Sequence, residues 1–105
     1  FRAPDGLRLD AGPFVAALSY ATGKEPIVLG KPSRDFFLSA AAGMGLDPAS
    51  LMMIGDDIRT DVGGAQQAGM LAAIVRTGKF RPEDLAGEIQ PDLVLDSLCD
   101  LPQLW

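Results

Sequence analysis

The chain opens on a stretch without an apolar period: residues 1–12, FRAPDGLRLDAG, scatter Gly, Pro and charge among single apolar side chains, a composition that reads as a join. Pro13 then suits the start of a helix in which Phe14, Val15, Leu18 and Ala21 recur at helical spacing, and Gly23 is its natural stop. Residues 26–29, PIVL, read as a short buried strand ending at Gly30-Lys31-Pro32. Ser33 is placed to cap a second helix, with Phe36, Phe37, Ala40, Ala41 and Met44 as its apolar stripe and Gly45 as its end.

Asp47-Pro48 begins a turn, and residues 51–54, LMMI, are continuously apolar, as expected of a strand covered on both faces. Gly55-Asp56-Asp57 leads into a helix predicted over residues 59–68 and closed by Gly69. Residues 71–75 form the next buried strand, followed by a loop at 76–79, a helical turn near 82–85 and a strand at 93–95. Ser97, with Asp100 three residues on, is placed to cap a last helix, in which Pro102 removes a backbone donor. Short apolar strands alternating with helices predict an α/β fold built on a parallel sheet. The chain holds no internal repeat and no low-complexity segment.

A length of 105 residues sets the scale at one small domain or a portion of a larger one. The hydrophobic content of 48% and charged content of 22% place the chain among packed domains rather than disordered ones. Its apolar runs cover a handful of residues, far short of the roughly 20 that span a bilayer, and no secretory pattern opens it. The net charge of −5 repels nucleic-acid backbones and anionic membranes, so neither is an expected partner. A single cysteine, Cys99, forms no internal disulfide and suits a reducing cytoplasm. Histidine is absent, which removes Ser-His-Asp and Cys-His pairs and His-containing zinc sites from consideration. Chemistry is left to carboxylates, lysines and backbone amides.

Ligands of parallel sheets bind beyond the carboxyl ends of the strands. Asp56 and Asp57 follow Ile54 by two and three residues, and Asp61 falls in the first turn of the next helix. Magnesium takes octahedral oxygen ligands, one or two of them carboxylates. Asp56 at the strand tip is the best placed direct ligand, whereas Asp61 is placed to hold a metal-bound water or the loop itself. Acidic residues at helix N-termini also serve simply as caps, and for Asp57 or Asp61 taken alone that is the commoner role. Lys31 follows a strand-like run, where an ammonium neutralises phosphate oxygens; taken alone, it is more often a solvated lysine in a Gly-Pro turn. Gly63 and Gly64 each cost a helix roughly 1 kcal/mol relative to alanine, which either a close approach of strand, loop or ligand or simple packing explains. Thr77-Gly78-Lys79 has the composition of a further phosphate-facing loop, in a motif too short to be diagnostic.

Taken in order, GKPSRDFF, MMIGDDIRTDVGGAQQAGM and VRTGKF resemble the third and fourth signature motifs of the haloacid-dehalogenase-like (HAD) phosphatases. The likeness is strongest to the subgroup of phospholysine phosphohistidine inorganic pyrophosphate phosphatase and its sister hydrolase-domain proteins. DGLRLDAGPFVAALSYATG is similar to the segment by which such chains return from their cap domain to the core. The resemblance implies a three-layer Rossmann-like (HAD-like) parallel sheet with flanking helices, incomplete in these residues. Residues 1–12 would be the linker from a cap domain, and residues 13–105 the C-terminal part of the catalytic core. It implies that Lys31 is catalytic and substrate-binding, touching the phosphoryl group and the nucleophile. It further implies that Asp56 and Asp61 serve a Mg2+ cofactor, with Asp61 in a supporting place and Asp57 shaping the loop. The substrate would be a small phosphorylated compound, hydrolysed through an aspartyl-phosphate with a second aspartate as general acid and base.

One departure from the family pattern matters. The nucleophile and acid of such enzymes lie in a D-x-D motif, and no Asp-x-Asp occurs here; Asp5-Gly6-Leu7 and Asp10-Ala11-Gly12 each lack the second aspartate. The 105 residues alone are therefore expected to be inactive, with an exposed sheet edge that favours a homodimer or other association. The alternative is a catalytically dead domain kept as an interaction or assembly module. A phospho-accepting receiver domain carries its acidic cluster early and its lysine late, whereas Lys31 precedes Asp56 here.

Overall fold

Pro4 and Asp5 turn the chain back on itself at its start, where β1 (Arg2–Ala3) and β2 (Gly6–Leu7) pair antiparallel, Ala3 opposite Gly6. The structure is a computed structural model that describes residues 1–103. After the hairpin, Asp10 caps α1 (Ala11–Thr22) by accepting from the Ala11 amide, and Gly23, in the left-handed region at φ 63°, ends it. No residue of α1 is buried; Phe14 and Leu18 are among its exposed apolar side chains.

Residues 26–29 do not form the buried strand their composition predicts. They belong to no helix or strand, with Ile27 87% and Leu29 76% exposed. An apolar run becomes a strand only where a neighbour completes its hydrogen-bond ladder, and no strand among the described residues lies beside this one. The chain then enters α2 (Arg34–Met44), which ends at Gly45 with its amide on the Ala41 and Ala42 carbonyls. Ser33 is the N-cap residue of α2, although its side chain makes no capping hydrogen bond. The stripe of α2 is narrower than predicted: Phe37 and Ala41 are buried with Leu38 packed beside them, while Phe36, Ala40 and Met44 are exposed.

The central sheet consists of β3 (Met52–Gly55), β4 (Leu71–Val75) and β5 (Leu93–Leu95), parallel and in that spatial order. Ile54 lies opposite Ala73, and Ile74 opposite Val94. Alternation along the strands divides the core in two. Met53, Ala72, Ile74 and Val94 face Phe37 and Ala41 of α2 together with Val62 and Ala65. Ile54, Ala73, Val75 and Leu95 face the other way, where Leu101 packs on them. β3, the end strand of this sheet, is covered only in part: Met53 and Ile54 are half-buried against the two cores, and Met52 is 36% exposed.

Between β3 and β4 the chain forms a π-helical stretch, Ile58–Gly63, that continues into the short α3 (Gly64–Gln67). The predicted α-helix is widened at its start because the Asp57 carbonyl accepts from both the Asp61 and Val62 amides, at 3.0 and 3.3 Å. Gly69 closes the segment at φ 85°. Packing explains Gly64 and bears more lightly on Gly63. A Cβ on Gly64 would lie 2.6 Å from Cε2 of Phe37 and 3.1 Å from Cα of Pro32, and one on Gly63 would lie 2.9 Å from Cδ1 of Ile89.

A 3₁₀ turn over Pro82–Ala86 precedes β5, and a 3₁₀ segment over Leu98–Gln103 follows it. The reciprocal cap expected there forms: the Ser97 hydroxyl accepts from the Cys99 amide at 3.1 Å and Asp100 accepts from the Ser97 amide at 2.9 Å. Among the described residues no helix is long and apolar enough to cross a membrane.

Candidate active site

β3 ends at Gly55, and the chain leaves the carboxyl edge of the sheet through Asp56 and Asp57. Gly55 is required here, because a Cβ on it would overlap the Asp61 carboxylate. That carboxylate folds back against the strand end and is 3% exposed at the residue level. Its Oδ2 accepts from the amides of Asp56 and Asp57, both at 3.2 Å. Its Oδ1 accepts from Nζ of Lys31 at 2.7 Å. A buried carboxylate is costly unless it is fully hydrogen-bonded and paired, and these three bonds meet that demand. The Lys31 side chain is 41% exposed, so its ammonium bridges a buried anion and solvent.

Asp57 caps the helical segment: its Oδ1 accepts from the amides of Arg59 and Thr60, both at 3.0 Å. Burial alone would raise its pKa. The amides of Thr60 and Arg59, the Thr60 hydroxyl and the Lys79 ammonium outweigh that effect and hold the carboxyl below its ordinary value. Nζ of Lys79 stands 3.6 Å from Oδ2 of Asp57. Asp56 behaves differently. Its Oδ2 accepts from the Lys79 amide at 2.7 Å, and its Oδ1 is engaged in no hydrogen bond among the described residues.

In front of Asp56 and Asp57 opens a cleft of about 750 Å³, walled by Arg59, Lys79 and Phe80. Lys31 and Asp61 lie outside its lining and hold the same loop through its amides. The structure thus brings Lys31, Asp61 and the Asp56–Asp57 amides together and turns Asp56 toward open space. The role of Gly78-Lys79 beside Asp56 was not visible in the sequence, because no spacing rule links the loop after one strand to a side chain after its neighbour.

Among the described residues no three acidic side chains surround one point as a complete cation site would require. Magnesium, however, needs only one or two protein carboxylates beside waters and phosphate oxygens. An acidic side chain at a strand end, with one oxygen free and the other held by an amide, fits one part of such a site.

A family profile described as HAD-hydrolase-like matches residues 28–101. The chain belongs to the HAD-like hydrolase family. Among curated HAD relatives, the human haloacid dehalogenase-like hydrolase domain-containing protein 2 is 54% identical over 80% of this chain and 32% of its own length. Human phospholysine phosphohistidine inorganic pyrophosphate phosphatase is 49% identical over 95% of this chain and 36% of its own length. The chain therefore spans about a third of the length of the curated relatives it matches. Among solved HAD-like structures, a p-nitrophenyl phosphatase from Archaeoglobus fulgidus superposes with a TM-score of 0.88 at 33% identity, over all of this chain and 42% of that one. A glycerol phosphate phosphatase from Mycobacterium tuberculosis, in complex with magnesium, superposes at 0.84 with 31% identity over 96% of this chain and 31% of that one. The HAD family and Rossmann-like sheet expected from the motifs are those found.

Proposed function

We propose that these residues form the C-terminal part of the catalytic core of a magnesium-dependent HAD phosphohydrolase, which cleaves small phosphorylated compounds through an aspartyl-phosphate. Residues 1–12 would be the return from a cap domain and residues 13–105 the core portion. The observation that carries the reading is the arrangement at the end of β3. Lys31 pairs with Asp61, whose other oxygen holds the Asp56 and Asp57 amides, while Asp56 lines the cleft with one carboxylate oxygen held by the Lys79 amide.

In this reading Lys31 neutralises phosphoryl oxygens, and its bond to Asp61 holds the ammonium where the charge develops. Asp56 is the direct magnesium ligand. Asp61 serves the metal site from one layer back, through the loop amides and the water shell. Magnesium, when bound, supplies charge neutralisation on the phosphoryl group. Support comes from relatives and structural neighbours that are named phosphatases, one of them in complex with magnesium. The chain contains no D-x-D motif, so the nucleophile of this reading would come from residues outside these 105.

Magnesium-dependent hydrolysis of an aryl phosphate, by the 105 residues and by the same protein extended upstream in its reading frame, tests this. Turnover is expected only in the extended protein, with loss on Asp56→Ala or Lys31→Ala. An extended protein inert across a broad phosphate panel would replace the enzyme by an interaction module. Turnover by the 105 residues alone would mean that a nucleophile lies within them.

A further inference from the structure

The loop after β4 crosses to the loop after β3 and takes hold of one carboxylate. Val75 ends β4, and three residues later Gly78 sits in the left-handed region at φ 61°. A Cβ built on Gly78 would stand inside the Asp56 carboxylate. The next amide, that of Lys79, donates to Oδ2 of Asp56 at 2.7 Å, a length typical of charge-assisted bonds. Gly78 therefore satisfies two demands at once: a backbone conformation that aims the following N–H at Asp56, and the empty volume into which the carboxylate fits.

We infer that Gly78 and the Lys79 amide form a positioning clamp that fixes the orientation of Asp56 and leaves Oδ1 as the oxygen offered to a divalent cation. The inference rests on the reading of Asp56 as a metal ligand and extends it to Gly78 and Lys79. Partners that orient a ligating carboxylate commonly govern metal affinity by about 10- to 100-fold. An unclamped Asp56 would have rotamer freedom to lose on binding, and its Oδ2 would compete for the same cation.

The test is binding of Mn2+, followed by electron paramagnetic resonance and calorimetry in the upstream-extended protein, without any turnover readout. Gly78→Asn is the informative variant, since asparagine tolerates the left-handed region but still places a Cβ against Asp56. Gly78→Ala adds backbone strain to the same clash. Gly45→Ala is the control, because Gly45 has a similar φ of 67° but nothing within 4 Å of its Cβ position. Both Gly78 variants are expected to weaken Mn2+ binding by about tenfold or more, with Gly45→Ala unchanged. Parental affinity in both Gly78 variants, or an equal loss in Gly45→Ala, would overturn the clamp. Parental affinity in Asp56→Ala would overturn the metal reading itself and the clamp with it.

Discussion

Lys31 and Asp61, thirty positions apart in the chain, meet at 2.7 Å, and the same carboxylate holds the amides of Asp56 and Asp57. One buried anion thus sets both the lysine and the loop that carries the other acidic residues.

Replacing that anion should damage the fold as well as the site. Asp61→Ala strips three donors of their acceptor, and the expected loss is about 2–4 kcal/mol. Asp61→Asn keeps one oxygen for the amides and gives Lys31 a neutral partner, so it should fall between. Urea midpoints decide the matter. An Asp61→Ala midpoint equal to the parent's would show that the carboxylate is not structurally required.

Lys31 should matter to turnover far more than its exposure suggests. In the upstream-extended protein, Lys31→Ala is expected to lower kcat by about 100-fold or more, as when other charge-stabilising donors are removed. Lys31→Arg should not restore it, because a planar, longer guanidinium does not reproduce a point ammonium on Asp61. Steady-state kinetics that show parental kcat in either variant would remove Lys31 from the chemistry.

The two adjacent glycines should respond in opposite ways. Gly63→Ala meets the far end of the Ile89 side chain, which can turn aside, and gains up to about 1 kcal/mol of helix propensity. Gly64→Ala drives a methyl into the Phe37 ring and the Pro32 backbone, an overpacking expected to cost about 1–3 kcal/mol. Thermal or urea unfolding of the pair checks this; equal effects at the two positions would contradict the packing described.

Acid should act partly through Asp57. Its folded pKa lies below the ordinary 3.8, so its contribution to stability is complete above that value and is lost as pH falls through the folded one. Asp57→Asn retains a good N-cap but cannot titrate. Between pH 5 and pH 2.5 the variant should therefore lose less stability than the parent, measured as the shift in urea midpoint. Parallel curves would show that Asp57 contributes nothing to the acid response.

Studied alone, the 105 residues should self-associate. β3 pairs on one side only among the described residues, and Phe14, Leu18, Ile27 and Leu29 are each at least 60% exposed. Unpaired edges and apolar patches promote contact between chains. Sedimentation velocity should show concentration-dependent growth that Ile27→Lys with Leu29→Lys reduces. A monodisperse monomer across the concentration series would contradict this.

Much of the fold was legible because it is written locally. β4 and β5 announce themselves as short apolar runs, and Gly23, Gly45 and Gly69 stop their helices in the left-handed region as their positions suggest. Residues 26–29 misled because a strand is a property of a pair, and their composition says nothing about a neighbour. The π-helical start was hidden for a similar reason, since it depends on one carbonyl, that of Asp57, shared by two amides. Motif spacing put Lys31, Asp56 and Asp61 forward as candidates, and the structure brings them to one loop. The grip of Gly78-Lys79 on Asp56 was not, because it joins residues whose only relation is that their strands are neighbours.

The space left by Gly64 also works as a ruler. Pro32 rests against the surface where a side chain would otherwise stand, and Lys31 is its immediate neighbour in the chain. The reach of the ammonium to Asp61 is thus set in part by a missing methyl group some distance from any charge. A substitution there would press on Pro32 and shift the base of the lysine side chain, so the Lys31–Asp61 pair can be perturbed from inside the core.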